Sequence, residues 1–133
     1  MAGMQNTPAS RIWFRGGHGP ILNLKATAEI KDGQTVPFGP AIAVAQTGAL
    51  GKAVTGEMYA LHLGGEWRFP RSVSTAAALG DPYRWDPAAT GVDGQPGAMV
   101  PATTGAVHAR VCEAAPNGSQ TAVMLLLLPP ASA

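Results

Sequence analysis

Three histidines, one cysteine and eight acids are the groups of this chain with the chemistry to catalyse or to bind a metal, and their spacing serves neither. His18, His62 and His108 stand alone, with no HxH, HxxxH or Cys/His cluster to give metal-ligand spacing. Cys112, the single cysteine, excludes an internal disulfide framework and reads as a small buried hydrophobe in the alternating segment 107–114. Asp81 and Asp86 flank residues 82–85 as a nominal carboxylate pair. The reading adopted is local: Asp81 turns the chain before Pro82, and Asp86 ends a strand. Ser72, Ser74 and Ser119 lie in loops or turns, none in a G-x-S-x-G elbow. Gly16-Gly17-His18-Gly19 lacks the downstream Lys and Ser/Thr that would hold a phosphate and its metal. The expectation is a protein that is not an enzyme and carries no metal or cofactor.

The elements that would position such groups are short. Gly (17) and Pro (12) punctuate the sequence throughout, which favours strands and loops over long helices. With 133 residues one domain is expected. Aromatics make up only 6%, so the core must be thin and built from Val, Ile, Leu and Ala. A net charge of +1 and a charged share of 13% give no electrostatic case for nucleic acid or a membrane surface. Residues 1–10 lack a basic start followed by an apolar run, so no signal peptide is expected and synthesis is placed in the cytoplasm. The apolar run 123–128 is too short to span a bilayer.

In chain order, residues 21–30 alternate, with Leu22, Leu24, Ala26, Ala28 and Ile30 on one face. Asp32-Gly33 marks a turn. Residues 34–38 form a short strand that Pro37 either confines to an edge or ends. Residues 41–45 are nearly all small and apolar, as for a strand buried on both faces or packed tightly against another sheet. Residues 58–63 form another strand, Gly64-Gly65 a hairpin turn, and 66–69 its return strand, with Trp67 and Phe69 on one face and Glu66 and Arg68 on the other. Residues 72–79 read as a helical turn or two, or as a loop. Residues 83–85 form a short strand, 87–97 a loop, and 99–104 a weak strand. Residues 107–114 pair through the Pro116-Asn117-Gly118-Ser119 turn with 120–128, the most hydrophobic strand. Leu125, Leu126, Leu127 and Leu128 show no polar alternation, so both faces need cover, from the chain's own sheet or from a neighbouring subunit. Pro129-Pro130 ends that strand. The fold class is all-β: a small barrel or tulip-like sandwich of short antiparallel strands, residues 21–133, preceded by an extended arm, residues 1–20.

The arm carries Arg11, Ile12, Trp13, Phe14 and Arg15 and no acid. Aromatics with Arg are the residue types of contact hot spots, so these five are candidate contacts with a partner protein. The competing reading folds Trp13 and Phe14 back as a cap on the core. Trp67, Phe69, Leu126 and Leu128 are the candidate contacts between subunits. Trp67, Tyr83 and Trp85 are the rings available to a glycan-binding groove, the feature that a binding module or adhesin would need.

Residues 25–128 resemble the tailed-phage capsid decoration, or cement, proteins. The resemblance rests on Gly39-Pro40-Ala41-Ile42-Ala43-Val44-Ala45, on Val54-Thr55-Gly56-Glu57-Met58-Tyr59-Ala60-Leu61, and on Gly80-Asp81-Pro82-Tyr83-Arg84-Trp85-Asp86. The last is similar to a G-D-x-Y-W-D signature with Arg84 inserted between Tyr and Trp. The hairpin 110–128 is similar to the family's closing pair. Two pieces depart from the pattern: residues 63–74 are longer, and residues 1–20 are not a typical start. The resemblance implies a β-barrel or β-tulip bound to the outer surface of an icosahedral capsid, as a homotrimer. It implies a partner in the major capsid protein, with no nucleic-acid or membrane partner, and a place on the virion exterior.

Overall fold

The frequent breakers leave room for strands and little else. The computed structural model describes residues 11–48 and 50–133, and among these there is no helix. The strands are β1 (Trp13–Gly16), β2 (Ile21–Lys25), β3 (Ile30–Lys31), β4 (Thr35–Phe38), β5 (Ala41–Gln46), β6 (Lys52–Ala53), β7 (Met58–His62), β8 (Glu66–Pro70), β9 (Pro82–Thr90), β10 (Pro96–Pro101), β11 (Ala106–Glu113) and β12 (Thr121–Ser132). A six-stranded antiparallel sheet runs β1-β8-β12-β11-β9-β10, and a four-stranded one β2-β7-β5-β4. A two-stranded ribbon, β3-β6, accompanies the smaller sheet. The sheets form a sandwich rather than a closed barrel. The larger sheet curls far enough that Met99 of β10 bridges to Arg71, just past β8.

Residues 41–45 show why small apolar side chains were needed. Ile42 and Val44 of β5 pack on the larger sheet against the cluster that holds Trp67, Phe69, Met99 and Met124. Ala43 and Ala45 face the other way, clustered with Leu61 and Leu63. All five are buried, as the unbroken apolar run required. Pro37 sits in β4, an edge strand of the smaller sheet, where its missing N–H breaks no ladder.

Several elements differ from the sequence reading. Gly64-Gly65 is no hairpin: β7 and β8 lie in different sheets, and the two glycines carry the chain between them. Glycine is required because Gly19 passes against this crossing; a Cβ on Gly19 would lie 2.6 Å from the Cα of Gly64. Residues 72–79 form no helix; Ala77 instead exchanges two 2.9 Å backbone hydrogen bonds with Ala115. The stretch 87–97 is a strand, a turn and a strand, since β9 continues to Thr90 and Gly91 N–H meets the Gln95 carbonyl at 2.9 Å. Pro129-Pro130 does not end β12. The β11–β12 register slips between Val107 and Ala109, and pairing resumes at Ala131 and Ser132. A bulge tolerates residues without an N–H because its extra residues leave the ladder. From residue 11 onward the segment read as an arm is part of the body: Trp13 pairs with Arg68 and Phe14 with Trp67 in the larger sheet. Residues 1–10 of the proposed arm lie outside the described residues.

Candidate functional site

Strand alternation divides the five candidate contacts of the N-terminal segment. Ile12 is buried, and Phe14 packs edge-on to Trp67 with ring centroids 5.2 Å apart. These two cap the core. Arg11 is tied down as well: Nε and Nη2 donate to Asp93 at 2.7 and 2.8 Å, and Nη1 donates to the Pro96 carbonyl at 2.8 Å. The guanidinium holds the Asp93 carboxyl below its usual range, chiefly through these hydrogen bonds. Trp13 and Arg15 face outward. Trp13 is 39% exposed, and Arg15 Nη2 lies 2.9 Å from Glu113 Oε2 in a solvent-screened pair. A single sequence cluster is thus divided: Ile12 and Phe14 face the core, and Trp13 and Arg15 face solvent.

Among the four candidate subunit contacts, three belong to the chain's own core. Trp67, Phe69 and Leu126 are 1%, 0% and 5% exposed. Alternation correctly places Trp67 and Phe69 on one face of β8. That face meets β5 of the smaller sheet, which covers it without a second subunit. Trp67 Nε1 also donates to the Gly64 carbonyl at 3.0 Å, so its polar atom is satisfied internally. Leu128 is 45% exposed and Leu125 40%, so the leucine run is not covered on both faces within one chain.

Of the three rings considered for a groove, Trp67 and Tyr83 are buried. Trp85 lines a cleft of about 520 Å³ between the β3–β4 turn and the β9–β10 hairpin. It also lines a neighbouring cavity of about 220 Å³ reaching Pro37 and His108. Gly97 makes room for the ring: its φ is +85°, and a Cβ there would lie 2.8 Å from Trp85 Cζ2. Hydrogen bonds hold both walls. Arg11 clamps the hairpin at Asp93 and Pro96. In the facing turn, Asp32 Oδ1 accepts from Thr47 N–H and Gln34 Oε1 from Lys31 N–H, each at 2.9 Å.

The chemistry-bearing residues remain dispersed. No group of three or more His, Cys, Asp or Glu converges among the described residues. Burial pulls the His62 imidazole below its ordinary pKa; the ring meets Gln46 Oε1 at 2.8 Å and makes a T-shaped contact with Trp67. His108 is lowered chiefly by burial too; its Nδ1 accepts the Trp85 N–H at 3.0 Å. Asp81 Oδ2 accepts from Ala78 N–H and Asp86 Oδ1 from Ala88 N–H, each at 2.9 Å. Asp86 lies within β9 rather than at its end.

Cys112 is half-buried, and its thiol meets Glu66 Oε1 at 3.7 Å. Burial, then the Glu66 charge, pushes its pKa up to about 11. The thiolate is the reactive form, so at pH 8 this thiol should alkylate about a hundredfold more slowly than one at 9.0. Iodoacetamide rates across pH 7–11 test this, and Glu66→Gln should raise the pH 8 rate a few-fold. A native-protein rate at pH 8 equal to that of an unhindered thiol would contradict the assignment.

Arg71 escaped the sequence reading altogether. It is 0% exposed, and no acid lies within ion-pair distance among the described residues. Nη1 donates to the Thr75 carbonyl at 2.7 Å and to the Tyr83 hydroxyl at 3.2 Å, while Nη2 donates to the Ser119 carbonyl at 2.6 Å. Its partners are scattered from residue 75 to 119, so no local signal marks it. Its role is to pin the loop after β8 and the turn before β12 to the core.

The geometry offers the outward-facing Trp13 and Arg15, the cleft beside Trp85, and no cluster of metal-ligating groups among the described residues. No curated protein and no solved structure matches the chain. A family model described as phage cement protein matches residues 16–126, a span running from the end of β1 into β12. The chain belongs to the phage cement protein family, a family of structural proteins that associate with the phage capsid.

Proposed function

We propose that this protein binds the outer surface of an icosahedral phage shell, through the major capsid protein, and stabilises the expanded form of that shell as a homotrimer made in the host cytoplasm. The family match over residues 16–126 carries the reading. The outward pair Trp13 and Arg15 supports it, since Trp and Arg are the residue types that dominate contact energetics. The mechanism is linkage. A protein that binds only the expanded shell stabilises that state by about 2.7 kcal/mol per site at a hundredfold excess over its dissociation constant. Summed over a shell, this opposes internal pressure without any reaction. A trimer touching several capsomers gains further from effective concentration. Leu128, exposed at the end of the leucine run, is the residue left for a subunit contact.

The test mixes purified protein with expanded shells that lack it. Saturable, lattice-wide density and a raised shell melting temperature are expected. Trp13→Ala combined with Arg15→Ala should weaken binding by about tenfold or more while leaving the domain's own melting nearly unchanged, because both side chains point away from the core. Removing residues 1–17 would be a poorer test, since it deletes β1 and uncovers Trp67. Absence of binding by the folded native protein would overturn the reading.

A further inference from the structure

We propose that the cleft beside Trp85 is a binding site for a neutral carbohydrate, a function separate from attachment to a shell. Its size falls in the range of small-ligand sites, about 300–1,000 Å³, at about 520 Å³ with a further 220 Å³ adjoining across Trp85. Its composition matches such sites, which combine an aromatic or apolar floor with a few orienting polar groups. The floor is Trp85 with Ile12, Pro87 and Pro96. The apolar C–H face of a pyranose ring fits a flat indole, and its hydroxyls need donors and acceptors at the rim. Gln34 and Gln95 supply them. The Gln34 carbonyl oxygen is engaged by Lys31 N–H, which leaves its NH₂ group to donate. Gln95 lines the opposite wall, and among the described residues its side-chain amide has no hydrogen-bond partner.

Charge points to a neutral ligand. The Arg11 guanidinium in the wall is neutralised by Asp93 and further spent on the Pro96 carbonyl. Lys31 and Asp32, adjacent in the facing turn, together add no net formal charge. The charged residues of the cleft thus sum to no net charge that would select an anion or a cation. Both walls are already held by hydrogen bonds, so binding would cost little reordering.

The test uses the isolated protein, without shells, so its outcome is independent of the cement reading. An array of neutral glycans identifies candidates. Chitotriose and mannotriose are then titrated while intrinsic tryptophan fluorescence and amide chemical shifts are followed. Saturable binding of at least one neutral oligosaccharide is expected, with shifts confined to residues 31–35, 85–87 and 95–97. Gln34→Ala with Gln95→Ala should weaken it at least tenfold at unchanged melting temperature, and Trp85→Ala should abolish it. Because Trp85 also touches the core, the glutamine pair decides the matter if the tryptophan variant is unfolded. Array-wide silence, preference for charged glycans alone, or binding that both glutamine substitutions leave intact would overturn the proposal.

Discussion

Arg71→Ala is expected to lower the unfolding free energy by about 3–5 kcal/mol, among the largest single-residue effects in this chain. The guanidinium is fully enclosed and reaches two carbonyls, of Thr75 and Ser119, and the Tyr83 hydroxyl. Alanine removes three hydrogen bonds from a charged donor, two of them part-buried and the one to Tyr83 fully buried, and opens a cavity as well. The melting temperature should fall by about 10 °C or more. Arg71→Lys should recover little, because one ammonium on a flexible stem cannot reproduce a planar fork that reaches residues 75 and 119 together. Arg71→Met restores volume and isolates the polar loss. Tyr83→Phe removes only the 3.2 Å contact and should cost about 1 kcal/mol. Urea unfolding of the four variants ranks them; an alanine variant within 1 kcal/mol of native would show that the buried guanidinium holds nothing in place.

Arg71 also shows where reading from sequence stops. Period-2 alternation and turn chemistry are local, and they found β2, β4, β5, β7, β8 and the β11–β12 hairpin. They also gave the correct inward face of β8. Whether that face meets the chain's own second sheet or a second subunit is a long-range matter. It depends on Gly64-Gly65 carrying the chain from one sheet to the other instead of closing a hairpin, and a Gly-Gly pair serves either turn. The same limit affects β12. Two prolines ordinarily end a strand, and only the register slip on β11 shows that they occupy a bulge. For the site, the residue types in the N-terminal cluster were informative but their directions were not. Ile12 and Phe14 point inward only because β1 joins the sheet beside β8. The Trp85 cleft was legible as a ring and no further, since its walls come from segments more than fifty residues apart in the chain.

Trp67→Ala should act on the fold of one chain and not on contacts between chains. The indole is 1% exposed, packs edge-on against Phe14 and His62 at 5.2 and 5.4 Å, and donates to the Gly64 carbonyl. Truncation of a buried tryptophan costs about 3–5 kcal/mol. Here it also releases β1, whose Phe14 has Trp67 as its support, so Trp13 and Arg15 would lose their fixed direction. The domain should unfold at lower denaturant at every protein concentration, and shell binding should fall with it. Leu128→Ala provides the contrast. Its side chain is 45% exposed, so unfolding of an isolated chain should change by less than about 1 kcal/mol, and any effect should show in the concentration dependence of assembly. Sedimentation and urea unfolding of both variants separate the two roles. If Trp67→Ala melts like the native domain and merely dissociates, β8 presents that face to a neighbour after all, and the packing of the two sheets described above is wrong.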